Sequence, residues 1–390
     1  MKIFCYAVIF AFFGGMKMTN QPTYPNLFTQ LGYEEKVVNQ RLETIWHTLF
    51  FGSEEERIYH EVDDMGYVVD TGNNDVRTEG MSYAMMVSVQ LNQQEVFDRI
   101  WRWVKKYMWI QTGDNQDYFA WSILPDGTPN SSGPAPDGEE FFAMALFFAS
   151  HRFGDREGIF NYSEQARKIL SACIHKGEPN QPGEPMWDRD NYLIKFVPGV
   201  DFSDPSYHLP HFYDYFAKWA DETDRKFWAQ AAQASRDYLV KASHPETGLT
   251  AEYAEYDGTP KNVDHHDRFF SDAYRVAANI GLANVWAKNS EALNDCVRRL
   301  QRYFFETDPK AFTQVREIDG TKVNQEVRHP VGLIATVAQG SLAIDPLDEN
   351  AILAVKKFWE TPMRTGSRRY YDNFLYLFAF LALSGNYRIW

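Results

Sequence analysis

Three carboxylates stand where a polar loop runs into an apolar helical pattern. Glu79 follows VVDTGNNDVRT (68 to 78), Asp137 lies in APDGEEFF (135 to 142) and Asp272 lies in FFSDAYRV (269 to 276). Each has an ordinary explanation by itself. Thr78 fits a helix N-cap with Glu79 complementing the macrodipole, Pro-Asp-Gly is turn chemistry around Asp137, and Asp272 fits a cap position after Ser271. The arrangement recurs, however, at Ser206, Tyr207 and His208, at His329, and at Tyr370 and Tyr371. If the helices that follow are parallel neighbours, these six starts face one another across a rim. Two opposed carboxylates there suit hydrolysis of a glycosidic bond by one acid and one base, and direct inversion needs them ~6.5–9.5 Å apart so that a water fits. Helix N-termini lower carboxylate pKa values, so an acid working near neutral pH needs a partly apolar setting to stay protonated.

The elements that must place these residues are helical almost throughout. From Tyr33 the periodicity predicts twelve helices, at 33–50, 79–92, 94–109, 138–151, 162–176, 206–220, 224–241, 270–284, 289–305, 331–341, 347–358 and 369–384. The odd-numbered segments are amphipathic. In 94 to 107, Phe97, Ile100, Trp101 and Val104 form one face, and Asp98, Arg102, Lys105 and Lys106 the other. The even-numbered segments, such as EFFAMALFFA (140 to 149) and NFLYLFAFLAL (373 to 383), are apolar nearly all round, as burial on every side requires. Six such pairs describe an all-α fold, an (α/α)6 barrel of six inner and six outer helices. The loops before the even helices, 51–78, 110–137, 177–205, 242–269 and 306–330, are long and rich in Gly, Pro, Asn and Asp, and are expected at one end of the barrel. No linker divides residues 21–390, so a single catalytic domain is expected.

Composition narrows the partners. The 390 residues carry a formal charge of −14 and a pI near 5.2, which argues against nucleic acid, a polyanion that needs a basic footprint. Aromatic residues make up 16%, a surplus that suggests rings exposed in a sugar-binding groove. The three cysteines, Cys5, Cys173 and Cys296, lack the spacing of a disulfide framework or a zinc site. Residues 1–15 (MKIFCYAVIFAFFGG) have the length of a signal peptide but are too short to span a membrane comfortably. Residues 1–20 are therefore read as a mis-assigned start, with a cytoplasmic protein, or as a leader, with a secreted or periplasmic one.

The segments DVRTEGMSYAMM, APDGEEFFAMAL, DPSYHLP and SDAYRVAANI, in this order, resemble glycoside hydrolase family 8, and within it most closely the reducing-end xylose-releasing exo-oligoxylanases. The resemblance runs from about residue 22 to the end. It implies an (α/α)6 barrel, an inverting mechanism, no metal or other cofactor, and a xylo-oligosaccharide substrate. By that resemblance Glu79 is the general acid, Asp272 the general base, Tyr207 the residue that holds the base and its water, and Asp137 a contact to the sugar at the cleavage subsite. Trp121 matches a tryptophan that stacks on a sugar next to the cleaved bond, and Tyr370 and Tyr371 match paired tyrosines, one facing the cleft. His329 stands where the subgroup places a histidine on the reducing-end xylose, although Arg328 departs from the leucine expected before it. Arg275, three residues after Asp272, can hold the base or the sugar or form a structural ion pair. Arg77 can orient Glu79 or tie down its own loop.

An endo-acting β-1,4-xylanase or another family 8 β-glycanase would share this acid and base, and cleft shape separates them. Sugar epimerases on the same barrel move protons with histidines, and a non-catalytic glycan-binding protein would need no paired acids. Motifs of esterases, metalloproteases and nucleotide enzymes are absent from the sequence. A monomer is expected.

Overall fold

In the computed structural model, which describes residues 24–390, the apolar patterns become twelve helices of ten residues or more. They are α1 (Glu35–Phe51), α2 (Thr78–Gln90), α3 (Gln94–Trp103), α4 (Pro136–Phe153), α5 (Tyr162–His175), α6 (Pro210–Trp219), α7 (Arg225–Ala242), α8 (Arg275–Ala287), α9 (Glu291–Arg302), α10 (Pro330–Gly340), α11 (Glu349–Glu360) and α12 (Arg369–Leu383), preceded by a single turn at Leu27–Gln30. Residues 1–20 fall outside the described part. Local chemistry starts several of these helices. Proline opens α4, α6 and α10, where its missing N–H costs nothing. The Asp348 carboxylate caps α11 through the N–H groups of Asn350 and Ala351.

The even-numbered helices form a closed ring, each packed on the next, with α12 returning to α2. From Gly80 to Gln90 in α2 and from Tyr370 to Leu383 in α12 every residue is buried, so the all-round apolar pattern does mark the inner ring. Each outer helix packs on the inner helix that precedes it, reached by a short turn, and α1 completes the circle against α12. The fold is the expected (α/α)6 barrel. In the outer helix α3 the split of faces holds except at Asp98, which is buried because it accepts hydrogen bonds from Tyr162 and Arg156.

The long loops lie at one end and carry three short antiparallel ribbons that the helical reading did not include: β1 (Tyr59–Val62) with β2 (Met65–Val68), β3 (Val76–Arg77) with β4 (Ser122–Ile123), and β5 (Gln314–Arg316) with β6 (Lys322–Glu326). Strands of two to five residues are too short to leave a readable alternation. The aromatic surplus went mainly into the core rather than a groove: Trp101, Trp103, Trp187 and Trp228 are fully buried, and Trp121 is the tryptophan that reaches 36% exposure. Cys173 and Cys296 are free and buried.

Candidate active site

The β3–β4 pairing joins the loop before α2 to the loop before α4. It lets the Thr78 N–H donate to the Trp121 carbonyl at 3.0 Å and lays the Arg77 guanidinium over the Trp121 ring, 5.2 Å from its centroid. Arg77 donates to Asp75 (2.9 Å) and lies 3.3 Å from Asp70, so it ties its own loop and braces Trp121 rather than pairing with Glu79. Thr78 is not the cap. It is the first helical residue, the cap position being Arg77 with extended backbone, and the Thr78 side chain is buried against Gly138, where a Cβ would come within 2.5 Å of it. Glu79 thereby enters the rim on the first turn of α2.

Asp137, expected just ahead of its helix, is on the first turn of α4, which Pro136 opens. Tyr207 and Asp272 are not on α-helical turns: each sits on a 3-10 turn, Pro205–Tyr207 and Ser271–Tyr274, just before α6 and α8. The Asp204 carboxylate fixes the first of these turns by accepting the Ser206 N–H at 2.7 Å, and extended backbone follows until Pro210 opens α6. Asp272 is likewise no helix cap. Its own N–H donates to the buried Glu252 carboxylate at 3.1 Å.

Arg275, at the start of α8, ties the rim together. Its Nη1 lies 3.2 Å from Asp137, 3.4 Å from Glu79 and 2.7 Å from the Tyr83 hydroxyl, while Nη2 lies 3.3 Å from Asp272 and 2.9 Å from the Ser206 hydroxyl. Both of its open readings from sequence thus merge, because one buried guanidinium contacts all three carboxylates. Contacts of 3.4 and 3.3 Å to the two arms of one fork hold Glu79 and Asp272 on opposite sides of the same guanidinium. Tyr370 donates to Glu79 at 2.9 Å. The approach of its ring requires Gly80, where a Cβ would meet the Tyr370 hydroxyl at 2.5 Å. Tyr371 donates instead to the Ser271 carbonyl at 3.0 Å and holds the turn that carries Asp272.

Burial pushes the Glu79 carboxyl up to about 8; the Arg275 cation opposes this, and Asp137 and Asp272 add to the rise. Burial thus outweighs the Arg275 cation at this position. Burial also raises Asp137 against Arg275. The Asp272 side chain keeps 32% of its surface and is the most exposed of the three acids.

The cleft has two lobes. One, of about 600 Å³, is lined by Trp121, Phe196, Tyr253, Tyr207 and Asp137; the other, of about 250 Å³, by His266, Phe270, Arg328, His329, Tyr370 and Tyr371. Arg77, Glu79 and Asp272 line both. In the smaller lobe, His329 pairs through Nδ1 with Asp372 at 3.0 Å, and Asp372 also accepts the Gly332 N–H at 2.7 Å and Arg364 at 3.1 Å. In the neutral ring whose Nδ1 donates to that carboxylate, Nε2 is the acceptor. All ten residues singled out from sequence thus stand at one rim. Missed were Tyr83, Asp204, Glu252, His266 and Asp372. Of these, His266 donates to Glu252 at 2.7 Å, and that hydrogen bond raises its pKa above the usual histidine value. Among the described residues no group of three or more His, Cys, Asp or Glu is arranged to hold a metal ion, and no helix is long and apolar enough to cross a membrane.

Known proteins share this chain's sequence and shape. It is 57% identical to a reducing end xylose-releasing exo-oligoxylanase of Halalkalibacterium halodurans, covering 94% of each chain. It is 54% identical to one of Bifidobacterium adolescentis, covering 95% of this chain and 98% of the other. A crystal structure of a reducing-end-xylose releasing exo-oligoxylanase with a glutamate changed to alanine, complexed with xylobiose, superposes with a TM-score of 0.91 at 56% identity, covering 94% of this chain and 98% of that one. In another solved variant of that kind an aspartate is changed to asparagine, and the two altered positions are separated by the same number of residues as Glu79 and Asp272. The family model of the glycosyl hydrolases family 8 matches residues 56–385, and with the barrel and the paired acids at its rim the chain belongs to that family.

Proposed function

We propose that this protein hydrolyses short β-1,4-xylo-oligosaccharides with inversion and releases xylose from the reducing end. The observation that carries the reading is the unequal cleft, whose two lobes meet at Glu79 and Asp272 and whose smaller lobe holds His329 fixed on Asp372. The names of the similar proteins support the substrate class and the end that is attacked.

In this reading the xylosyl chain lies in the larger lobe against Trp121, and one terminal xylose fills the smaller lobe, where His329 accepts a hydroxyl. Glu79, protonated near neutral pH, donates to the oxygen of the leaving xylose. Asp272, the more exposed acid, takes a proton from a water that attacks the anomeric carbon from the opposite face. Tyr207 holds the base and that water, and Asp137 contacts the sugar at the point of cleavage. Arg275 holds both acids from one side, one on each arm of its fork. Matching residue spacing in the substituted relatives supports the acid and base assignments. The cleft is built from one chain, which fits action as a monomer. A cytoplasmic location suits substrates imported as oligomers; N-terminal sequencing of native protein tests it, a cleaved leader placing the enzyme outside.

The test is xylotriose offered native and with its reducing end converted to the alditol. The expected result is xylobiose plus xylose from the native trimer and resistance of the alditol; equal cleavage of both would establish an endo-acting enzyme instead. Proton NMR should show the new reducing end, on xylobiose, first as the α anomer, and initial β product would exclude inversion.

A further inference from the structure

Beneath the floor of the cleft, on the barrel axis, lies a separate cavity of about 40 Å³. Every inner helix contributes to its wall, among them Tyr83 from α2, Glu140 from α4, His211 from α6, Arg275 from α8, Gln339 from α10 and Leu375 from α12. Arg275 and Asp137 face both spaces. Two further wall residues, Phe141 and Asn279, keep some water-accessible surface although they stand on inner helices.

Three buried polar atoms on this wall have no partner in the protein: Arg275 Nε, Glu140 Oε1 and His211 Nδ1. The parent residues are 5%, 0% and 1% exposed. Such orphans are rare, and each carries a full desolvation cost. Elsewhere two of these side chains are well bonded: Glu140 Oε2 accepts from the Tyr213 hydroxyl at 2.8 Å, and the Arg275 fork is saturated by the acids and hydroxyls of the rim. The unmet atoms thus collect in one place. A water needs roughly 10–15 Å³ and two to four polar partners, so this cavity has room for about two or three.

We propose that the cavity is an internal hydration site whose waters bridge Arg275 Nε, Glu140 Oε1 and His211 Nδ1, and so fix the guanidinium from behind while its fork holds the three carboxylates. The chemistry of the wall selects water over an ion. The Arg275 cation repels a metal ion, the neighbouring Asp137 repels an anion, and the orphans include both a donor and an acceptor. Burial raises the Glu140 carboxyl well above the usual range and lowers the His211 imidazole to about 3, so burial disfavours charge on both groups. Glu140 and His211 are positioning residues: they act through Arg275.

The hydration site stands on the orphaned atoms alone, whereas its effect on turnover rests on the function proposed above. A high-resolution crystal structure of the wild-type protein tests the first. Ordered waters on these three atoms are expected; a cavity without them, or one that takes up xenon under pressure, would overturn the proposal. Kinetics test the second. Glu140→Leu should lower kcat about tenfold with KM almost unchanged, because a small misplacement of the acids is costly, and Glu140→Gln should keep kcat within about twofold. A folded Glu140→Leu protein with wild-type kcat would refute positioning while leaving the assignment of Glu79 and Asp272 intact, since that assignment is broken only by activity in their own variants.

Discussion

The two lobes of the cleft solve different problems with different chemistry. The larger is walled by rings, Trp121, Phe196 and Tyr253, with Phe196 and Tyr253 4.3 Å apart between centroids. The smaller is walled by polar groups backed by buried partners: His329 on Asp372, His266 on Glu252 and Tyr370 on Glu79. A ring face accepts any sugar of the right shape and leaves chain length open. A fixed acceptor in less than half the volume rejects a sugar that fails to meet it, because buried polar groups left unpaired are costly. Under the proposed function the difference teaches that one side of the scissile bond supplies affinity and the other discrimination, with Glu79 and Asp272, which line both lobes, on the seam between them.

The largest effect should come from removing the seam. Glu79→Ala and Asp272→Asn should each lower kcat by about 10²–10⁴-fold, as loss of a general acid or base does, with either lobe still able to bind sugar. Steady-state kinetics on xylotriose, with product binding followed by calorimetry, would check both halves. Retained turnover in either variant would undo the division of labour, since both lobes would then serve some other chemistry.

The pH profile comes next. As the proposed general acid Glu79 acts protonated, and with its carboxyl at about 8 the rate should hold through neutrality and fall tenfold per pH unit above about 8. Glu79→Ala with a leaving group that needs no proton should lose this limb. Stability should move the same way. Glu79, Asp137, Glu139, Glu140 and Asp204 all have folded-state values raised by burial, so the folded protein binds protons more tightly than the unfolded chain. That stabilisation is complete below the unfolded values of about 4 and is lost as pH rises toward the folded ones. Melting temperature should therefore decline from about pH 5 to pH 9, and a rise over that range would contradict the raised values.

His329→Ala tests discrimination. Loss of one buried acceptor costs about 1–3 kcal/mol, or roughly 5- to 150-fold in kcat/KM on xylotriose. The reducing-end alditol should then be cleaved nearly as well as the native trimer. If resistance of the alditol survives, another group of the smaller lobe measures the chain end, and His266 and Arg328 are the next to change.

Much of this was legible in the sequence for a physical reason. A helix buried on all sides cannot hide its composition, so the inner ring showed itself, and residues placed at six inner-helix starts had to converge once the ring closed. What stayed hidden depends on partners distant in the chain. Glu252 sits in a loop with no local signal and matters because the Asp272 N–H reaches it. Asp372 carries no signal of its own in the sequence and matters because His329 pairs with it. The 3-10 turns under Tyr207 and Asp272 are set by Asp204 and Glu252, not by propensity. Composition misled at one point, because a count of rings does not separate a groove from a core, and here the core took most of them.

The smallest effect should be at Trp121, and it sharpens the comparison most. The ring is 36% exposed and is braced from one side by Arg77, itself tied to Asp70 and Asp75, so the stacking face is held in place before sugar arrives. Trp121→Ala should remove a ring–sugar contact of about 0.5–1.5 kcal/mol, judged from aromatic pairs, and raise KM roughly two- to tenfold with kcat little changed. The preference for native over alditol ends should be untouched, because no group in the smaller lobe moves. His329→Ala should do the reverse, changing which ends are accepted more than how tightly long chains are held. If Trp121→Ala also relaxed the choice of end, the lobes would be coupled through the seam rather than independent, and Arg77, which lines both, would be the residue that carries the coupling.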